Sequence, residues 1–483
     1  MSLATRVARN TAVQFGGKFL SIVLGFLTIA LLQRALQVEG FGSYTIIVSY
    51  LGFFSVIADL GLYLILIREL NKPGADRDRV FANVLGIRLV TFGGVFVVAL
   101  LVLPLFGYAA VVNHGVLVGV LGFLGVAVSQ LLTSIFQSAL TMQRVVVAEL
   151  VGRLVLLGGV LGAVLLGWGV VAMVGVLVLA NGANALLLIA QARPYVRIRV
   201  AFDRPYWGYL LRETAPVAIS VVLNLIYFRI DTILLSVFRT TEEVGLYGAS
   251  YKVLEILNTF PIMFVGLMLP LFTQAFALDH ARFRALYQRA FDALFMGVLP
   301  LVVGGWLLAE PMLVFIGGSQ YAPAAPIFQL LLIAVGFLYL NALSGHTITI
   351  IHKQRQMVWA YLAVALVGLA VYFSLIPAVG MRGAAIGTIL TEALTAIIGA
   401  VVVFRTMRFV VSVRTVAKAL VATAVMAGVL WLIPGQRLLV EVPVAIVVYA
   451  VGLLLTRSVP IAFLREVVKR EQAGEAPPPA TPS

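Results

Sequence analysis

The chain has 483 residues, 62% of them hydrophobic and 11% charged, with a mean hydropathy of +1.07 and a formal net charge of +14. A soluble protein of this length could not hide that much apolar surface. Apolar runs of about 20 residues, each able to cross ~30 Å of hydrocarbon, also exclude a β-barrel of short alternating strands. There is no cysteine, which removes disulfides, thiolate nucleophiles and thiolate-held metals.

The pattern predicts an all-α polytopic membrane protein with about fourteen transmembrane helices. The opening MSLATRVARN is polar and basic and runs into a full span, so no cleavable signal peptide is read there. In chain order the predicted spans are 11–32, 42–66, 81–105, 114–140, 147–166, 170–192, 210–235, 245–272, 290–315, 325–350, 357–376, 383–404, 415–433 and 438–456. The tail EQAGEAPPPATPS (471–483) is rich in Pro and Ala and reads as disordered.

With a cytoplasmic N-terminus, one side of the membrane carries 25 Lys/Arg, counting Arg212 and Lys418 in the first turns of their spans, and the other four: Arg34, Arg239, Arg382 and Arg437. This is the positive-inside asymmetry, so the basic charge reports topology rather than nucleic-acid binding, and both termini are expected in the cytoplasm. Five cations remain deeper inside spans: Lys18, Arg88, Arg153, Arg229 and Lys252, all in the first eight. Each would cost about 2.5–3.5 kcal/mol at a span centre, so each must face protein, water or an anionic ligand.

An internal repeat appears at an offset of 203 residues. TAVQFGGKFLSIVLGFLTIALLQRALQVEGFGSY (11–44) aligns without a gap on TAPVAISVVLNLIYFRIDTILLSVFRTTEEVGLY (214–247), including Glu39/Glu242, Gly42/Gly245 and Tyr44/Tyr247. A second echo pairs 165–175 with 376–386. Six spans per repeat imply two six-helix lobes in pseudo-two-fold arrangement, 1–203 and 204–408, with two extra C-terminal spans in 409–470. Gly86 with Gly93, and Gly152 with Gly159, have the spacing of close helix packing. Pro261, Pro270 and Pro300 are candidate kinks.

Thr11, Gln14, Lys18, Ser21, Gly25 and Thr28 follow one another by three or four positions and make one polar face on the first span. Asn224, Tyr227 and Asp231 share the equivalent face of the seventh. Arg229 lies about 200° round the helix from Asp231, so it lines another wall or pairs with an acid between helices. Asp59 is placed either to pair with a cation or to bind a proton. Gln130, Ser134 and Gln137, and Asn181 and Asn184, are polar faces that either bind sugar or join helices. Glu149/Arg153 and Lys252/Glu255 are local pairs at i, i+4 and i, i+3. Arg68, Glu69 and Asp292 sit at span ends, where side chains can snorkel. His346 reads as a hydrogen-bonded interior histidine. No cofactor, metal-ligand or nucleophile motif is read, and outer loops of roughly ten residues leave little room for an enzyme's catalytic loops.

VIADLGLYLILIREL (56–70), LNLIYFRIDTILLS (223–236) and LIPAVGMRGAAIGTIL (375–390) resemble the polysaccharide-export, Wzx-like flippases of lipid-linked oligosaccharides. That family belongs to the superfamily that also holds lipid II flippases and multidrug extruders. The resemblance spans the whole chain and rests on Asp59-Leu60-Gly61, on Asp231 and on the turn Pro377, Gly380, Gly383, Ala384, Ala385. It implies alternating access and an undecaprenyl-diphosphate-linked oligosaccharide as cargo, for surface polysaccharides such as O-antigen, in a bacterial cytoplasmic (inner) membrane. A diphosphate would attract cations held in a low-dielectric cavity. Lys18, Arg88 and Arg229 are therefore the leading substrate-binding candidates, followed by Arg153 and Lys252, with Asn224 and Gln14 on the polar faces. Asp59 and Asp231 are the candidates for coupling to H+ or Na+, and polysaccharide-assembly proteins are candidate contacts. The alternatives are a cation-coupled multidrug exporter, a lipid II flippase and, less favoured, a membrane-embedded polysaccharide enzyme. The first span lacks the acid of many prokaryotic drug extruders and has only Lys18 where lipid II flippases cluster arginines.

Overall fold

The computed structural model describes residues 3–433, 438–456 and 458, with side chains described for all of these except 3–15, 216, 217 and 219–229. The predicted disordered tail lies outside the described residues. Among the described residues there are fifteen α-helices: α1 (Leu3–Asp59), α2 (Leu62–Leu70), α3 (Arg77–Val102), α4 (Ala110–Ser138), α5 (Gln143–Leu165), α6 (Val170–Ala192), α7 (Arg204–Phe238), α8 (Thr241–Leu278), α9 (His280–Leu307), α10 (Ala309–Gly317), α11 (Ala325–Ile350), α12 (Gln354–Val379), α13 (Met381–Met407), α14 (Arg414–Leu432) and α15 (Leu438–Leu455).

Twelve stretches among them are long and apolar enough to cross a membrane. The first, Gly16–Asp59, has 44 residues. At 1.5 Å per residue it would run for about 66 Å, twice a bilayer core. It is in fact two spans, because Gln37 breaks the helix with φ 56° and ψ −177°. The two limbs, the other eleven stretches and the 35-residue α7 make up the fourteen predicted spans.

The Gln37 break frees backbone carbonyls that the helix would otherwise satisfy. The Tyr321 hydroxyl donates to two of them, Gln33 O at 3.4 Å and Gln37 O at 3.2 Å. Next to it, Arg34 donates to the carbonyls at the end of α10, Ile316 at 3.0 Å and Phe315 at 2.6 Å. The second limb stops earlier than predicted. Leu60 (φ 50°) and Gly61 (φ 74°) are left-handed and end it at Asp59. The Asp59 carboxylate accepts the Gly61 N–H at 3.2 Å. Asp-Leu-Gly is therefore a helix stop, and α2 begins anew beyond it.

The chain packs as two compact units. One comprises Met1–Ile256, Leu313–Leu331 and Gln354–Thr395; the other comprises Leu257–Met312, Leu332–Lys353 and Ala396–Ser483. In the first unit, α6 lies between α4 and α5, and α5 packs on α1. A Cβ on Gly159 would lie 2.5 Å from Val176, and one on Gly152 3.1 Å from the Ala180 carbonyl, so these glycines do set a close approach of α5 to α6. Gly86 lies against Ala201 and Trp207, whereas Gly93 faces open space. In the second unit, α9 continues through Pro300, and α14 packs on α9 and α15. The Tyr449 hydroxyl donates to Met296 O at 2.6 Å over a small core that includes Leu308, Met426 and Leu430.

The 203-residue offset reappears as a contact pattern in the first unit. A Cβ on Gly42 would lie 2.0 Å from the Thr241 carbonyl oxygen, and a Cβ on Gly245 would lie 2.2 Å from that of Val38. Adding 203 turns positions 38 and 42 into 241 and 245, so one contact is made twice. Nearby, a Cβ on Gly248 would lie 2.8 Å from Cγ2 of Thr45, its own repeat partner. The start of α8 and the second limb of α1 thus cross with backbones touching, which only glycine permits.

Candidate functional site

Just inside this crossing lies a cavity of about 200 Å³. Both limbs of α1 wall it, together with α5, α6 and α8. Thr28, Tyr44, Thr45 and Ser49 supply hydroxyls, and the charged residues on the wall, Arg153 and Lys252, are both cations. Gly25 leaves room for the guanidinium, since a Cβ there would stand 3.5 Å from Arg153 Nη1. Arg153 and Lys18 are both partly open, with side chains 41% and 43% exposed.

Each cation is held by an acid. Lys252 Nζ lies 2.7 Å from Glu255 Oε2. Glu149 Oε1 accepts the Lys18 ammonium at 3.2 Å and the Ser21 hydroxyl at 2.7 Å, and Arg153 Nη2 stands 4.0 Å away. The polar face predicted on the first span therefore points at α5 and the cavity from Lys18 through Ser21 and Gly25 to Thr28. The ranking of cations shifts: Arg153 and Lys252 stand on the wall, while Lys18 stands one contact back, on Glu149. The Lys18–Glu149 pair joins helices 131 positions apart, and no local spacing signals it. Tyr44 belongs to the repeated Glu-x-x-Gly-x-Tyr motif, which is the signal that marks it. Ser49 carries none.

Arg88 is not among the residues on this wall. It is fully buried, donating from Nη1 to Asp59 Oδ1 at 2.6 Å and from Nη2 to Gln130 Oε1 at 2.6 Å. It clamps the Asp-Leu-Gly stop to α3 and α4. The rest of the α4 polar face is also engaged: Gln137 accepts the Tyr63 hydroxyl, and Ser134 reaches Tyr63 O at 3.4 Å. In the second unit His346 bonds within its own helix, Nδ1 to Ala342 O at 2.8 Å. Asp292 accepts from Gln288 at 3.0 Å and Thr415 at 3.2 Å instead of snorkelling.

A second buried cluster surrounds Asp231, which is 2% exposed. Its Oδ2 accepts the Tyr247 hydroxyl at 2.6 Å and Thr388 Oγ1 at 3.4 Å, and its Oδ1 accepts the Thr232 N–H at 2.6 Å. Tyr372 joins through Thr388 at 3.4 Å. The cluster ties α7, α8, α12 and α13 together, with buried Glu392 one turn beyond Thr388. Tyr247 is the repeat partner of Tyr44, so the same motif tyrosine serves the cavity in one repeat and the carboxylate in the other. The side chains of Gln14, Asn224 and Arg229 lie outside the described residues. Among the described residues, no three His, Cys, Asp or Glu gather as a metal site.

Long apolar helices, a helix crossing whose contact is made twice and a cavity with cations on its wall are features of a multi-pass membrane transporter. The chain belongs to the polysaccharide biosynthesis protein family, which matches residues 7–276. It is 25% identical over 338 residues, 69% of this chain and 67% of the other, to the succinoglycan biosynthesis transport protein ExoT of Rhizobium meliloti (strain 1021). Its fold is that of a lipid II flippase MurJ in an inward closed conformation, with TM-score 0.73 and 14% identity, covering 94% of this chain and 98% of that one. An inward-facing multidrug resistance MATE family transporter of the MOP superfamily shares it, with TM-score 0.66 and 15% identity over 80% of this chain and 94% of the other. These relatives are named for transport, in line with the expectation that the chain is not an enzyme.

Proposed function

We propose that the chain is a flippase that moves an undecaprenyl-diphosphate-linked oligosaccharide from the cytoplasmic to the outer leaflet of a bacterial inner membrane by alternating access, for surface polysaccharides of the O-antigen kind. The observation that carries this reading is the cavity wall, on which the charged residues are cations and the remaining polar groups are hydroxyls. Cations recognise a diphosphate through charge-assisted hydrogen bonds, hydroxyls suit a sugar, and the prenyl tail can stay in lipid while the head crosses. Arg153 and Lys252 hold the head, and Lys18 is the next cation along its path. The transport names and family of the relatives support the same class of cargo.

In this reading two six-helix lobes, 1–203 and 204–408, carry out the exchange, and α14 and α15 stand outside it. Asp231, gathered with Tyr247 and Thr388, and Asp59, bonded to Arg88, are the candidates for coupling to H+ or Na+. The test is transport of a lipid-linked oligosaccharide into proteoliposomes at matched protein content. Arg153→Ala and Lys252→Ala should each lose at least about tenfold, the scale of one charge-assisted contact. Normal transport by the Arg153→Ala/Lys252→Ala double variant would reject the site. Export of cationic dyes without lipid transport would assign the chain to the multidrug class.

A further inference from the structure

We infer that Glu149 is a built-in counter-anion that holds Lys18 and Arg153 between transport cycles. The geometry shows a three-sided grip on one carboxylate oxygen: Lys18 at 3.2 Å, Ser21 at 2.7 Å and Arg153 at 4.0 Å. These partners come from two different helices. Arg153 is shared, because its guanidinium stands both beside Glu149 and on the cavity wall. An ammonium and a guanidinium converging on one oxygen is the arrangement a phosphate oxygen would also receive. The Lys18 and Arg153 side chains remain more than two-fifths exposed and free to turn from one anion to another, whereas Glu149 is only 27% exposed and is pinned by Ser21.

The consequence is a competition. Arriving phosphate takes over Arg153 and Lys18 from the carboxylate, and departing phosphate returns them to it. Binding is thereby weakened to a level that still permits release. The emptied carrier also rearranges with both cations still paired. Glu149 acts through Lys18 and Arg153 and is a positioning residue. The inference rests on the reading of the cavity as a phosphate site, and the experiment separates the two.

Titration calorimetry with inorganic pyrophosphate on the purified full-length protein gives the affinity of wild type, Arg153→Ala and Glu149→Gln. Arg153→Ala should lose binding, and Glu149→Gln should bind about fivefold more tightly, the effect of removing one opposing charge at a water-accessible distance. In proteoliposomes the same Glu149→Gln variant should lower both KM and kcat, whereas a mere brace between α1 and α5 would lower folded yield and leave KM alone. Ser21→Ala, which unpins the carboxylate, should shift pyrophosphate affinity in the same direction by less and guards against a Glu149→Gln protein that does not fold. Glu149→Asp should return toward wild type. If Arg153→Ala binds like wild type, the cavity reading and this inference both fall. If Arg153→Ala loses binding while Glu149→Gln and Ser21→Ala bind no more tightly than wild type, only the counter-anion role falls.

Discussion

Arg88 is one of five intramembrane cations, and its burial sets it apart from Arg153 and Lys252. A guanidinium with no exposed surface, bonded to Asp59 and Gln130, fixes a helix stop. Breaking a buried pair leaves an uncompensated charge, so Asp59→Asn should cost about 3–5 kcal/mol, read as a lower midpoint in thermal unfolding in detergent. The double replacement Asp59→Leu/Arg88→Met should recover much of that loss. Asp231→Asn should lose dependence of transport on the cation gradient; gradient dependence intact would mark Asp231 as structural. The sequence announces these residues, because a charge in an apolar span is conspicuous, and it announces Glu149 and Arg153 as neighbours. It does not announce that Lys18 belongs to Glu149 or Arg88 to Asp59. Those pairings depend on how α1 packs on α5 and α3, and helix packing in lipid is driven by shape, which the hydropathy pattern does not record.

At the scale of elements, the crossing of α1 and α8 leaves no room for added atoms. Gly42→Ala or Gly245→Ala would drive a methyl into a carbonyl and should destabilise the closed crossing by about 1–3 kcal/mol, the usual cost of overpacking. A cysteine at Thr45 should then become labelled from the outer side in the Gly42→Ala background while staying protected in the parent. Unchanged protection would mean that the helices part elsewhere. A different element fixes the stretch that follows α6. Glu69 on α2 lies outside the spans. Burial pushes its carboxyl up, but hydrogen bonds from Lys72 (2.8 Å), Tyr209 (3.0 Å) and Arg68 (3.2 Å) outweigh that and hold it below its ordinary value. A carboxyl lowered in the folded state contributes fully above about pH 4.5 and ceases to contribute as the pH falls through its folded value. Amide exchange in the first turns of α7 should therefore be flat from pH 8 to 5, after correction for intrinsic rates, and accelerate only below that. Acceleration already near pH 6.5 would point to a histidine and contradict this account. Element boundaries were partly legible: Gly61 after Asp59 is a readable stop, whereas Gln37 is neither Gly nor Pro, and its left-handed break shows only once Tyr321 is seen holding the freed carbonyls.

At the scale of the whole molecule, the bilayer makes the span count legible, because one solvent imposes one length on every crossing. The count of fourteen depends only on that, whereas the expected side of each loop rests on Lys and Arg. The expected topology places 193–209 in the cytoplasm. The same stretch docks on α3, with Arg79 and Asp203 at 2.7 Å and Asn83 accepting the Trp207 indole N–H at 3.1 Å. Since the chain has no native cysteine, Arg199→Cys provides a clean probe. It should react with a membrane-impermeant maleimide in inverted vesicles and not in intact cells; labelling of intact cells would invert the topology.

The doubled contact at Gly42 and Gly245 has the form of a self-complementary dimer interface written into a single polypeptide: residue i meets j, and the copy of j meets the copy of i. A fused pair is free to diverge at each position, and position 45 shows what divergence has done. In the chain as it stands, Thr45 meets Gly248, where even one added carbon would lie 2.8 Å from the threonine methyl. Two copies of the first half brought together in the same way would present threonine to threonine at that point and could not close. The glycine of the second half makes room for the threonine of the first, so separately expressed halves should recombine as a mixed pair, and the first half should not pair with itself.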